Sequence, residues 1–327
     1  MKVNPIEWLL EKENPSIRYF TLIDILDRPL NDPEVKAAKL NIMKNGVVPK
    51  ILAKQNKNGY WDSPDSFYTA KYKGTVWQLI ILAELGADGM DKQIKKACEF
   101  ILENSQDPET GGFSMAVSKK RGIGLASSVI PCLTGNMVWS LIKIGYLNDP
   151  RVQKGINWIV NYQRFDDGVN STPKGWRYER FTACFDKHSC FMGVVKALKA
   201  LAEIPVEQRS EAVEETINEG TDFMLRHHIF KKSHDLTMDS KSSWKRFGFP
   251  LMYQTDVLEI LLILRKLGYR DERMQEAIDL VKAKQDCDGR WRLENTFNGK
   301  FQVNIEKKGE QSKWITLNAL RVLKDSY

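Results

Sequence analysis

The chain has 327 residues, 42% of them apolar and 28% charged, with a formal net charge of +7. These are the proportions of a globular protein with a sizeable buried core, and they exclude a chain too polar to fold. No apolar run nears the roughly 20 residues that cross a bilayer, and Glu7, Glu11 and Glu13 stand where a leader would be apolar, so a cytoplasmic protein is expected.

Apolar residues recur at helical spacing and strand-like alternation is scarce, so the chain reads as all-α. A short helix at IEWLLEK precedes an apolar one over 16–27 (SIRYFTLIDILD). VPKILAKQNKNGYW then reads as an amphipathic helix reaching Gln55 and a turn with Gly59 and Trp61, and GTVWQLIILAELG, 74–86, as a second, more apolar helix. The alternation continues with CEFILENSQDPETGGF (Gln106, Gly112, Phe113) before CLTGNMVWSLIKIG, 132–145. INWIVNYQRFDDG (Gln163, Gly168) precedes the apolar helix that begins near Cys190. FMLRHHIFKKSHD, with His228 near the Gln position, precedes YQTDVLEILLILRKLG, 253–268, and LVKAKQDCDGRW (Gln285, Gly289, Trp291) precedes KWITLNALRVLKD, 313–325.

Helices apolar on most sides must be covered on most sides, whereas one-striped helices can face water. Six apolar helices inside six amphipathic ones therefore predict a closed (α/α)6 toroid, a single domain over 1–327. An open superhelix is the alternative, but Trp8 and Trp314 near the two ends are apolar surfaces that closure would cover.

A Gln, then Gly and an aromatic, recurring at the ends of outer helices, resembles the QW repeat of the squalene and hopene cyclases. It is similar also to the repeats of protein prenyltransferase β subunits. The resemblance runs from about Asn4 to Lys324 and implies an α/α toroid of the terpenoid cyclase and prenyltransferase type. It further implies an enzyme acting on an isoprenoid or other long apolar substrate with an anionic head. The Asp-x-Asp-Asp acid of squalene-type cyclases has no match. Arg164-Phe165-Asp166-Asp167 has Arg in the first place and reads as a turn.

The densest reactive segment is ACFDKHSCFMG, which sets Cys184, Asp186, His188 and Cys190 before an apolar helix. Five cysteines at irregular spacing argue against a disulfide framework and leave thiols or a metal. Cys132, Cys184, His188 and Cys190 are the candidate zinc ligands, three or four being what zinc requires. Asp186 and Cys190 with His188 also match the ligand types that the prenyltransferase resemblance implies. Without metal, Asp186 and His188 make an acid/base pair, and Asp256, at the head of the next apolar helix, is the other candidate acid. The plain alternative makes Cys132 and Cys190 packing residues.

The five loops leading into apolar helices carry 22 Lys and Arg against 14 Asp and Glu, which accounts for all of the chain's excess charge. In a toroid they share one rim with the N-termini of the inner helices, a place that attracts anions. Arg177, Arg180, Lys245 and Arg246 are the candidate holders of an anionic head. Trp176 and Tyr253, among other loop aromatics such as Tyr68, Tyr72, Trp244, Phe247, Phe249 and Phe297, are candidates to line the bore and stabilise a cation. Acids interspersed in the rim argue against a nucleic-acid partner. The rival expectation is a non-catalytic toroid that binds a lipid or a protein partner through this basic rim.

Overall fold

The computed structural model describes residues 4–167, 182–185 and 189–324. Helices dominate: α1 (Ile6–Leu9), α2 (Pro15–Phe20, continued by a π-helical turn over Thr21–Ile25), α3 (Pro33–Ile42), α4 (Val48–Leu52) and α5 (Thr75–Glu84). They continue with α6 (Lys92–Asn104), α7 (Pro131–Ile144), α8 (Pro150–Tyr162), α9 (Thr182–Phe185) and α10 (Phe191–Leu201). The last four are α11 (Glu211–Arg226), α12 (Val257–Lys266), α13 (Gln275–Ala283) and α14 (Lys313–Leu323). Strand is confined, among the described residues, to two small hairpins, β1 (Lys231–Lys232) with β2 (Asp235–Asp239) and β3 (Trp291–Arg292) with β4 (Gln311–Ser312).

The two helix kinds differ in burial as their patterns predict. Every residue of α5 from Thr75 to Ala83 is buried, whereas α6 buries only the stripe Ile94, Ala97, Cys98, Phe100, Ile101 and Leu102. Helices α5, α7, α10, α12 and α14 lie side by side in chain order. Helices α3, α6, α8 and α11 begin where an acid or serine accepts from free first-turn amides, as Asp91 does from Gln93 N and Ile94 N. The helix expected to reach Gln55 is short, α4 over Val48–Leu52 with Pro49 suited to its first turn, and it is preceded by α3, a helix that the sequence reading did not name.

The chain's end lies on its beginning. Helix α14 packs on α2 and its π-turn, with the Phe20 and Trp314 rings 6.1 Å apart. Arg321 pairs with Asp24 and Lys313 with Glu11 at 2.5 Å. Trp8 lies under the Arg290 guanidinium, 4.2 Å away, and the Lys313 ammonium, at 5.1 Å. Gly86, at φ +71°, ends α5 against Phe20, and a Cβ there would stand 3.0 Å from that ring.

The repeat turns are tied in a common way. Gln55 Nε2 donates to Gly59 O at 3.0 Å and to Gln93 O, at the start of the next outer helix, at 2.9 Å. Gln106 does the same to Gly111 O and Arg151 O, at 2.9 and 2.8 Å. The indoles of Trp61 and Trp291 donate back to Ile51 O and Val281 O, at 2.9 and 2.7 Å. The amides of Trp61, Phe113 and Trp291 donate forward to Thr75, Thr134 and Thr316 at the heads of inner helices. Each turn thereby satisfies helix-end groups that would otherwise lack partners. Gln163 departs, donating instead to Arg164 O at 2.7 Å.

Candidate functional site

At the N-terminal ends of the inner helices, the aromatics expected to line an open bore pack against one another. Tyr68 and Tyr72 are buried against Trp77, each with its ring centre 5.0 Å from it. Tyr72 lies 4.2 Å from Phe297, and Phe249 stacks on Trp314 at 4.2 Å. Trp244, Phe247 and Met252 are buried too, and Met252 O accepts from Asn136 Nδ2 inside α7 at 3.1 Å. Burying these large rings removes more apolar surface from water than any open channel would permit, so this end is packed.

A cavity of about 740 Å³ opens instead at the other end, among the C-termini of the inner helices. Its wall combines Phe20, Trp139, Leu262 and Ile263 with charged side chains, and it reaches Gly248, Phe249 and Asp256. That volume is in the range of small-molecule sites.

Asp256 caps α12. Its Oδ1 accepts from Glu259 N and its Oδ2 from Gly248 N, both at 2.8 Å, and the residue is 2% exposed. Burial is the largest influence on the carboxyl and, with Glu259 nearby, outweighs the two amides and Lys196, pushing it up to about 7. Each oxygen keeps a second lone pair for a proton or a substrate.

Beside it runs a buried ion network that the sequence reading missed. Lys196 is wholly buried on α10, and its Nζ lies 2.7 Å from both oxygens of Glu259. Lys199, one turn on, reaches Glu259 at 3.0 Å and Glu84 of α5 at 2.5 Å, and its ammonium stands 4.0 Å from the centre of the Trp139 ring. Burial opposes ionisation of Glu259, but Lys196 and Lys199 overcome it and hold the carboxyl down to about 2. The available signal was a charged residue inside helices apolar on every side: Lys196 in GVVKAL, Glu259 in DVLEILL.

The other candidates are placed as follows. Cys132 is buried and Cys184 and Cys190 half-buried; all five cysteines are free. The three thiols lie close enough to influence one another: burial first, then Cys190, pushes Cys184 up to about 12, and burial followed by both neighbours raises Cys132. Among the described residues no three His, Cys, Asp or Glu side chains gather as a metal requires, so these thiols do not make a zinc site by themselves. Asp186 and His188 lie outside the described residues, as do Trp176, Arg177 and Arg180. Lys245 pairs with Asp239 on β2 at 2.5 Å, and neither it nor Arg246 lines the cavity. Tyr253 is half-buried in the packed end, with Lys71 Nζ 4.6 Å from its ring centre. His227 is buried: its Nδ1 pairs with Lys231 O at 2.8 Å and its Nε2 stands 3.5 Å from Asp167.

No family model matches the chain, and no curated protein matches it. Solved structures overlap it loosely. Cellobiose 2-epimerase from Bacillus thermoamylovorans is 12% identical, covers 89% of this chain and 81% of its own, and superposes with a TM-score of 0.48. The type II terpene cyclase MstE from Scytonema is 13% identical, covering 96% and 88%, with a TM-score of 0.44. A protein from Actinoplanes is 14% identical, covering 95% and 89%, also at 0.44. Likeness this loose assigns the chain neither family nor activity. No helix among the described residues is long and apolar enough to cross a membrane.

Proposed function

We propose that the chain is an acid/base enzyme built on a closed (α/α)6 toroid, whose bore is the reaction chamber and whose proton-transferring group is Asp256. The observation that supports this most is a buried carboxyl on a substrate-sized cavity, fixed by two backbone amides and brought to about 7 by its surroundings. A group at that value is equally ready to give and take a proton near neutrality, which is where general acid/base catalysis is most efficient. The ion network beside it holds fixed charges that need no rearrangement during a reaction.

The substrate is a small molecule with an apolar body, lying along Phe20, Trp139, Leu262 and Ile263. An isoprenoid of the kind the sequence resemblance implies fits such a wall. The chemistry favoured is proton transfer at a heteroatom or an activated carbon, because a carboxyl near 7 is far too weak an acid to protonate a bare alkene. Turnover would be sought by mass spectrometry across prenyl and alkyl alcohols, phosphates and carboxylates. Activity lost in Asp256→Asn with the fold retained supports the reading, and undiminished activity in that variant sinks it.

A second reading is zinc held by Cys132, Cys184 and Cys190 with His188; the electrostatic influence of the three thiols on one another speaks for it, and His188 would complete a set that the thiols do not make alone. Stoichiometric zinc in purified protein, lost in Cys190→Ala, would support it, and metal-free protein would oppose it.

A further inference from the structure

One set of charges, at the cavity's open end, is not used by the proton chemistry farther in. Lys39 of α3, Lys143 in the last turn of α7 and Lys266 at the end of α12 all line the cavity, Lys39 half-buried and the other two exposed to solvent. Lys143 and Lys266 share a single acceptor, Oε2 of Glu203, with Lys143 at 3.8 Å. The other oxygen of Glu203 accepts from the Trp139 indole at 3.2 Å. Lys39 has no carboxylate at ion-pair distance among the described residues; it donates to Gly86 O at 2.8 Å and stands 5.1 Å from the centre of the Tyr19 ring.

Within ion-pair distance the three ammonium groups therefore have one carboxylate, Glu203, among the described residues. Asp88 acts on Lys39 and Asp24 on Lys266 from beyond ion-pair distance, and Asp24 is itself paired with Arg321. Burial lowers the amines of both Lys39 and Lys266, and each is lowered further by Lys143, a repulsion that a bound anion would relieve. Helix C-terminal carbonyls absorb part of the excess, as Gly86 O does for Lys39.

We infer that the open end of the cavity is a binding site for a dianionic phosphate group held by Lys39, Lys143 and Lys266. A carboxylate brings one charge and two oxygens, leaving one ammonium unanswered, whereas a phosphate ester brings nearly two charges and three oxygens for three donors. Lysine ammoniums suit such a group as movable point charges. That the phosphate is the head of the substrate rests on the acid/base reading of the bore; the binding site itself does not.

The test is calorimetric titration of the full chain with dodecyl phosphate and, separately, dodecanoate. The phosphate binds at one site per chain and more tightly than dodecanoate. Lys39→Gln and Lys143→Gln each weaken it about tenfold, the loss of one charge-assisted hydrogen bond. Lys143→Arg, which keeps the charge, holds affinity within about threefold, and guards against a Gln variant that misfolds. Asp256→Asn binds dodecyl phosphate as the parent does, so intact binding with lost turnover speaks to the proton chemistry alone. Absence of phosphate binding, equal binding of dodecanoate, or undiminished affinity in a folded Lys39→Gln/Lys143→Gln double variant overturns the inference.

Discussion

A Cβ placed on Gly135 of α7 would stand 2.5 Å from the backbone carbon of Lys196 on α10. The two helices thus meet backbone to backbone at the turn that carries Lys196 towards Glu259. Gly135→Ala forces them apart, and overpacking of this kind costs about 1–3 kcal/mol. Urea unfolding should show that loss, and a change under about 0.5 kcal/mol would mean that the contact can relax freely.

Glu259→Gln leaves Lys196 buried without its counter-ion. Breaking one half of a buried pair costs about 3–5 kcal/mol. The double variant Lys196→Met/Glu259→Leu should recover most of that loss in thermal or urea unfolding, because it removes both desolvated charges at once. A double variant no more stable than Glu259→Gln would show that the network is held by packing and not by charge.

Asp256 carries a pH signature. Its folded value near 7 lies above the roughly 3.9 of an unfolded Asp, so the folded state holds the proton more tightly. Its contribution to stability is fully present below about pH 4 and lost as the pH rises through about 7, a change of up to about 4 kcal/mol. Asp256→Asn lacks this slope, so the parent should lose stability relative to the variant between pH 4 and 7. Parallel profiles would mean that the carboxyl stays ionised in the fold.

The repeat turns differ in what their glutamines protect. The Gln106 amide makes two bonds and the residue is 3% exposed, so Gln106→Leu takes the donor from the buried Gly111 carbonyl and the half-buried Arg151 one and should cost about 2 kcal/mol. Gln55 makes the same pair of bonds but is half-buried, and water can replace them. Gln55→Leu should therefore cost less than half as much in the same unfolding assay, and equal losses would refute the distinction.

The sequence alone determined the helical architecture, because apolar periodicity and glycine stops are local properties of a chain. It separated α5, α7, α10, α12 and α14 from their amphipathic partners, and it marked Gln55, Gln106 and Gln285 as turn residues. It also singled out Asp256, from its place at the head of an apolar helix. Which end of the apolar helices carries an open cavity was decided only in three dimensions. The loop aromatics can line a channel or fill it, and their burial against Trp77, Trp314 and one another sets the outcome. The partners of Lys196, Lys199 and Lys143 likewise come from α5, α12 and the Glu203 turn, tens of residues away. Charge pairing is a through-space relation, and only the packing of α10 between α7 and α12 brings those groups to within 4 Å.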